Sequence, residues 1–302
     1  MGARLNGLTS ILKLRPEIKS LIEKGEFKSI REFDPSPSLA DVVLYYELSE
    51  LSRSDIPLPK ELKDEYSIPK GKSIDIFTNP EELFTRTFLS ENMDDIIVKV
   101  FAGLLSGEAV RKDGVVTTLR SRIIILPSLM GGGKTHLLIT LYHIIRLYNN
   151  LVVKQKDLVK FRNIIRKLDG SLAERLYNIV KSVEPKRIRI AALDGYVDKL
   201  TPDPHQRKPT KKAVLIRSGG SYELKVYEVH TLWGSIAHYL GDYTLLSKRD
   251  ESNTIPSREE LTKLLSGDPF LIMIDEPLVY AERYGDLERL KNFFQVLAVS
   301  IK

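Results

Sequence analysis

The sequence predicts an α/β fold: a mostly parallel sheet flanked by helices, with a β-hairpin insertion and a helical N-terminal region. Three observations carry this prediction. Apolar runs at 122–126, 187–194 and 269–276 have the length and β-branched character of strands buried on both faces. Segments with helical spacing lie between them, as in successive strand–helix units. Val214–Arg217 and Tyr222–Val229 flank Ser218-Gly219-Gly220-Ser221, a hairpin signal.

Along the chain, Pro16, Glu17, Ile18, Leu21 and Ile22 predict a short helix that Gly25 closes. Asp34-Pro35-Ser36-Pro37-Ser38 is a break, and its last serine can cap a helix over Leu39–Leu51. Prolines and charges over 55–73 read as a linker. Asn79-Pro80-Glu81-Glu82 is a helix start: a cap, a proline in the first turn, and acids at the positive dipole end. One or two helices follow to about Leu105. After the 122–126 strand, a helix carries Leu137, Leu138, Leu141, Ile144 and Ile145; two more follow at 156–168 and 171–183. Residues 201–212 read as a loop. A helix through Trp233 ends at Gly241, and a last helix covers 287–301. The division is a helical, irregular region at 1–78, a helical lead-in at 79–116, and a sheet core from 117.

The 302 residues, 42 % hydrophobic and 28 % charged, suit a globular chain of one large or two ordinary domains. No stretch reaches the roughly 18 apolar residues of a membrane span, and the start lacks a secretory apolar core. The absence of cysteine excludes disulfide scaffolds, zinc fingers, iron–sulfur clusters and thiol catalysis, and suits a cytoplasmic protein. The net charge of +6 is uneven: residues 151–230 hold 18 Lys and Arg against 9 Asp and Glu. Such a segment fits a polyanion such as nucleic acid, or a solvated face on two helices.

The first strand runs into Pro127-Ser128-Leu129-Met130-Gly131-Gly132-Gly133-Lys134-Thr135-His136. A strand, a glycine loop, Lys-Thr and a helix form the P-loop arrangement. Consecutive glycines let backbone N–H groups turn inward as a nest for phosphate oxygens, and the following helix adds its positive end. Lys134 would reach the β- and γ-phosphates, and the Thr135 hydroxyl would bind Mg2+. Ser128 stands where the usual pattern has its first glycine. Ser128, Met130, Gly131, Gly132, Gly133, Lys134, Thr135 and His136 are the expected ATP-binding set.

Leu271-Ile272-Met273-Ile274-Asp275-Glu276 supplies the second half. Acids at the C-terminal end of a buried parallel strand face the crevice where ligands bind. Asp275 would hold Mg2+ through water, and Glu276 would polarise the attacking water as the catalytic base beside Lys134. Against this stands a helix-capping role, which Pro277 permits. Asp194 ends its strand as a turn acid or a more distant partner of the site. His136 could assist a phosphate or pack, Arg283 could sense the nucleotide or face solvent, and Trp233 reads as a core anchor.

Several segments in order resemble an uncharacterised P-loop ATPase group, domain-of-unknown-function family 499. They are residues 79–88 (Asn79 to Phe88), 131–138 (Gly131 to Leu138), 230–237 (His230 to Ala237) and 274–281 (Ile274 to Ala281). The resemblance implies an AAA+-like ATPase near DNA-modification and defence functions. It also implies a further strand carrying a polar sensor, which would come after Lys302, leaving the core incomplete at its C-terminal side. A homo-oligomer or a completing protein partner is the corresponding expectation. Two function classes follow: an ATPase acting on nucleic acid, and a nucleotide-binding switch or assembly subunit with little hydrolysis.

Overall fold

The computed structural model describes residues 37–52, 57, 59–63, 66–68, 70–89, 93–105, 108–110, 116–118, 123–126, 133–196, 209–218 and 221–301. The helix expected at 16–25 and most of the loop expected at 201–212 lie outside these residues. Within them the protein is mixed α/β, mostly helical, with one small parallel sheet.

Helix α1 (Leu39–Ser52) starts at the expected serine. The Asp41 N–H donates to Ser38 Oγ at 3.1 Å, and the Ser38 N–H donates to Asp41 Oδ2 at 2.9 Å. Helix α2 (Lys72–Thr78) begins in the last two residues of the segment read as a linker and runs beyond it, stopping where Asn79 turns extended ahead of Pro80. Helix α3 (Pro80–Arg86) starts as expected, with Asn79 Oδ1 accepting the N–H groups of Glu81 and Glu82 at 3.0 and 3.3 Å. Helix α4 (Met93–Leu105) follows.

The lead-in expected to be helical to residue 116 instead ends in an antiparallel ribbon, β1 (Glu108–Val110) with β2 (Val116–Thr118). Lys112-Asp113-Gly114 between them is a turn signal that could have located it. Next come α5 (Lys134–Leu147), a π-helical turn (Tyr148–Lys154), α6 (Leu158–Ile165) and α7 (Gly170–Lys181). Asp157 and Asp169 cap α6 and α7 through their side chains.

Strand β3 (Arg189–Asp194) precedes the hairpin β4 (Thr210–Ser218) and β5 (Ser221–Val229). Helices α8 (Leu232–Leu240), α9 (Tyr243–Glu251) and α10 (Arg258–Leu264) lead to β6 (Phe270–Asp275), α11 (Pro277–Tyr284) and α12 (Leu287–Ser300). Strands β3 and β6 pair in parallel, in register from Arg189 opposite Phe270 to Asp194 opposite Asp275.

The sheet differs from expectation. Among the described residues the ladders are the parallel pair β3–β6, the expected hairpin β4–β5 and the unexpected antiparallel ribbon β1–β2. Residues 123–126, expected as the strand ahead of the glycines, carry no strand. Ile123, Ile124 and Ile125 are 53, 46 and 80 % exposed. A β-branched run becomes a strand only where a neighbour completes its hydrogen-bond ladder, and no described strand is ladder-paired with this one.

The parallel pair separates two apolar layers. Ala192 and Met273 join the core built on α1 and α3 to α7, while Ala191 and Leu193 join the core of α8, α10 and α12. This alternation is the two-residue period of a strand covered on both faces. Trp233 is fully buried against Phe293, with ring centroids 5.3 Å apart, a core anchor as expected.

The hairpin is fastened by a buried polar node. The Lys212 ammonium donates to the Tyr239 hydroxyl at 2.6 Å and lies 3.8 Å from Glu47 Oε2. Burial works against the Glu47 carboxylate, but Lys212 and His238 beside it hold its pKa down at about 2. The node ties β4 to α1 and α8. Among the described residues no helix is long and apolar enough to cross a membrane.

Candidate functional site

Helix α5 opens at Gly133, whose left-handed backbone (φ 72°, ψ 18°) supplies no side-chain cap. Lys134, Thr135 and His136 fill the first turn, all half-buried, and no acid lies in that turn. An N-terminus without a side-chain cap, with a positive dipole end and a lysine in its first turn, favours an anion. Ser128, Met130, Gly131 and Gly132 lie outside the described residues.

The His136 ring is already engaged. Its Nε2 lies 2.7 Å from the Thr87 hydroxyl, which itself donates to the Leu83 carbonyl at 2.7 Å. The hydroxyl proton is therefore committed, and Nε2–H of a neutral imidazole donates to Thr87 Oγ1. Burial lowers the pKa of His136, consistent with the neutral ring, and Phe77 packs edge-on against it at 5.6 Å. The ring's Nε2 is thus held by the Thr87 hydroxyl. The bond joins the segment after α3 to the first turn of α5, so two of the motifs picked out in the sequence are in contact.

Two helical turns further, the core residue His143 donates from Nε2 to the Phe77 carbonyl at 2.7 Å. It faces the Tyr46 hydroxyl through Nδ1 at 3.0 Å. Burial pushes its pKa down to about 4, against the pull of the Phe77 carbonyl.

Helix α5 packs against β6, and Leu137 and Met273 share one core. Strand β6 ends in Asp275, 4 % exposed, whose Oδ1 accepts the Glu276 N–H at 3.1 Å. Asp194, 3 % exposed, ends β3 directly opposite and accepts the Tyr196 N–H through Oδ1 at 2.9 Å. The structure thus brings Asp194 beside Asp275, a closeness the sequence left open, while its bond to Tyr196 is that of a turn acid. Glu276 is exposed and left-handed (φ 47°, ψ 48°) at the start of α11.

Arg283 does not simply face solvent. Its Nη1 donates to the carbonyls of Gly195 and Tyr196 at 3.3 and 3.2 Å. Thr87 and Gly195, to which the sequence reading gave no role, and Arg283, read as a nucleotide sensor or a solvent-facing residue, therefore shape the site's surroundings. A glycine directly after a strand-ending acid was the signal available for Gly195.

Among the described residues no group of three or more His, Asp or Glu is arranged to hold a metal ion. Shallow hollows lie along α10, lined by Arg258, Glu259 and Lys263, and beside Asn79, Glu82 and Arg86. Neither coincides with the acids.

The basic 151–230 segment is partly consumed inside the molecule. Arg162 and Arg166 pair with Glu174, Lys167 with Glu81, and Arg175 with Asp94 and Asp95. Arg189 donates to the carbonyls of Leu264, Ser266 and Asp268, and Lys212 is buried.

No curated protein matches the chain, and no solved structure does. The family model described as the DUF499 N-terminal domain matches residues 54–301, and the chain belongs to the DUF499 family.

Proposed function

We propose that residues 79–302 form an AAA+-like P-loop core that binds ATP with Mg2+ and hydrolyses it. The supporting observation is the opening of α5 at Lys134, directly after left-handed Gly133 and without a side-chain cap, on a helix packed against the strand that ends in Asp275 and Glu276. Lys134 and the loop amides from Ser128 to His136 hold the phosphates, and Thr135 and Asp275 are the groups that would hold Mg2+. A bound Mg2+ would neutralise charge on the phosphate oxygens. Glu276 takes the role of base toward the attacking water. Because His136 Nε2 is bonded to Thr87, its contribution to phosphate comes from its backbone N–H.

A second reading, a nucleotide-binding switch or assembly subunit, is favoured by one observation: the run 123–126 ahead of the glycines is exposed and forms no strand. In either reading, contact with nucleic acid falls to the basic residues of 151–230 that are not paired internally. A second copy or another protein is the partner the assembly reading calls for.

Mg2+-dependent ATP binding and turnover, with Lys134→Ala and Glu276→Gln, tests both. The ATPase reading expects binding and turnover in the native chain, loss of both in Lys134→Ala, and binding without turnover in Glu276→Gln. Binding without turnover in the native chain favours the switch, and no binding sinks both.

A further inference from the structure

The turn that carries Glu276 is gripped from two sides by the end of β3. The Gly195 N–H donates to the Asp275 carbonyl at 2.9 Å, closing the ladder at its last register pair from one residue past the end of β3. A β-carbon at position 195 would stand 2.3 Å from the Glu276 carbonyl oxygen and 2.8 Å from the Tyr280 β-carbon. Only glycine allows the two backbones to approach so closely.

From the far side, Arg283 on α11 reaches back to the carbonyls of Gly195 and Tyr196. Its guanidinium fork suits two neighbouring acceptors. Between these contacts the Glu276 carbonyl accepts the Tyr280 N–H at 3.2 Å and so starts α11. Glu276 itself holds a left-handed conformation that a side chain rarely adopts unless its surroundings enforce it.

We propose that Gly195 and Arg283 are positioning residues that lock the Glu276 turn and thereby aim its carboxylate. The catalytic consequence rests on the ATPase reading; the locking itself does not. The experiment has two arms on the full chain, comparing native protein with Gly195→Ala, Arg283→Ala and Arg283→Lys.

In the first arm, hydrogen exchange without nucleotide follows the peptide covering 276–282. Exchange is expected to be about tenfold faster in Gly195→Ala and Arg283→Ala, with α5 unchanged and recovery toward native in Arg283→Lys. In the second, steady-state ATP turnover is expected to show kcat lowered about tenfold with KM held, as for a misaimed group. Native exchange at 276–282 in both alanine variants would overturn the proposal, as would native kcat in an active enzyme. If the native chain lacks turnover, the ATPase reading fails while the exchange arm still decides whether the turn is locked. If Gly195→Ala does not fold, the two Arg283 variants carry the same decision.

Discussion

Asp194 lies opposite Asp275 at the last register position of the parallel pair, and each residue is under 5 % exposed. Each gives one carboxylate oxygen to a backbone N–H just beyond its strand. Among the described residues no third His, Asp or Glu joins the two acids to hold a metal ion, and two acids alone make a poor cage for a bare cation, since Mg2+ keeps its water and prefers phosphate oxygens. Titration calorimetry with MgCl2 alone is expected to show no saturable binding below about 1 mM, with binding appearing once ATP is added. Asp275→Asn should weaken that ATP-dependent binding about tenfold or more. Tight Mg2+ binding without nucleotide would contradict the site.

His143 contributes a pH dependence to stability. Its pKa falls from 6.5 unfolded to about 4 folded, because burial disfavours the charged ring. Below pH 6.5 the unfolded chain binds the proton more readily, so the stability present above pH 6.5 is lost as pH falls toward 4. The difference corresponds to about 3 kcal/mol. His143→Gln can keep the bond to the Phe77 carbonyl without titrating. Urea unfolding from pH 7 to 4 should show a shallower decline in that variant than in the native chain, and parallel declines would refute the assignment.

The Thr87–His136 bond supports the phosphate-binding turn from behind. Thr87→Val leaves the imidazole N–H without its acceptor, at a cost of about 1–3 kcal/mol. It is expected to lower the urea midpoint and weaken ATP binding, because α5 starts two residues before His136. Nitrogen-detected NMR should find the Nε2–H tautomer in the native protein. A protonated Nδ1 in a neutral ring would show that the bond runs the other way.

Gly234 is a packing requirement. A β-carbon there would lie 2.0 Å from Asp250 Oδ1. Asp250 is buried and accepts bonds from the His230 N–H, the Thr231 hydroxyl and the Tyr243 hydroxyl, so it cannot retreat without breaking that set. Gly234→Ala should cost about 3 kcal/mol by denaturant unfolding, and a cost under about 1 kcal/mol would show that the carboxylate yields. This explains why Thr231, Trp233 and Gly234 stand together: a cap, a core anchor and a seat for Asp250.

Part of the molecule is legible in the order of residues. Asn79 and Pro80 start α3, Ser38 caps α1, Ser218–Ser221 marks the hairpin, and the apolar runs at β3 and β6 form strands that end in acids. Each depends on neighbours within a few positions, or on a two-sided apolar pattern that a sheet between helices requires. The tertiary structure decided the rest. It placed Asp194 against Asp275, committed His136 to a hydroxyl 49 residues away, seated Gly195 under Glu276, and left 123–126 out of the sheet. Those outcomes depend on which distant backbone or side chain meets each hydrogen-bonding group. The residue pattern determines which face is buried; the packed chain determines which partner is found there.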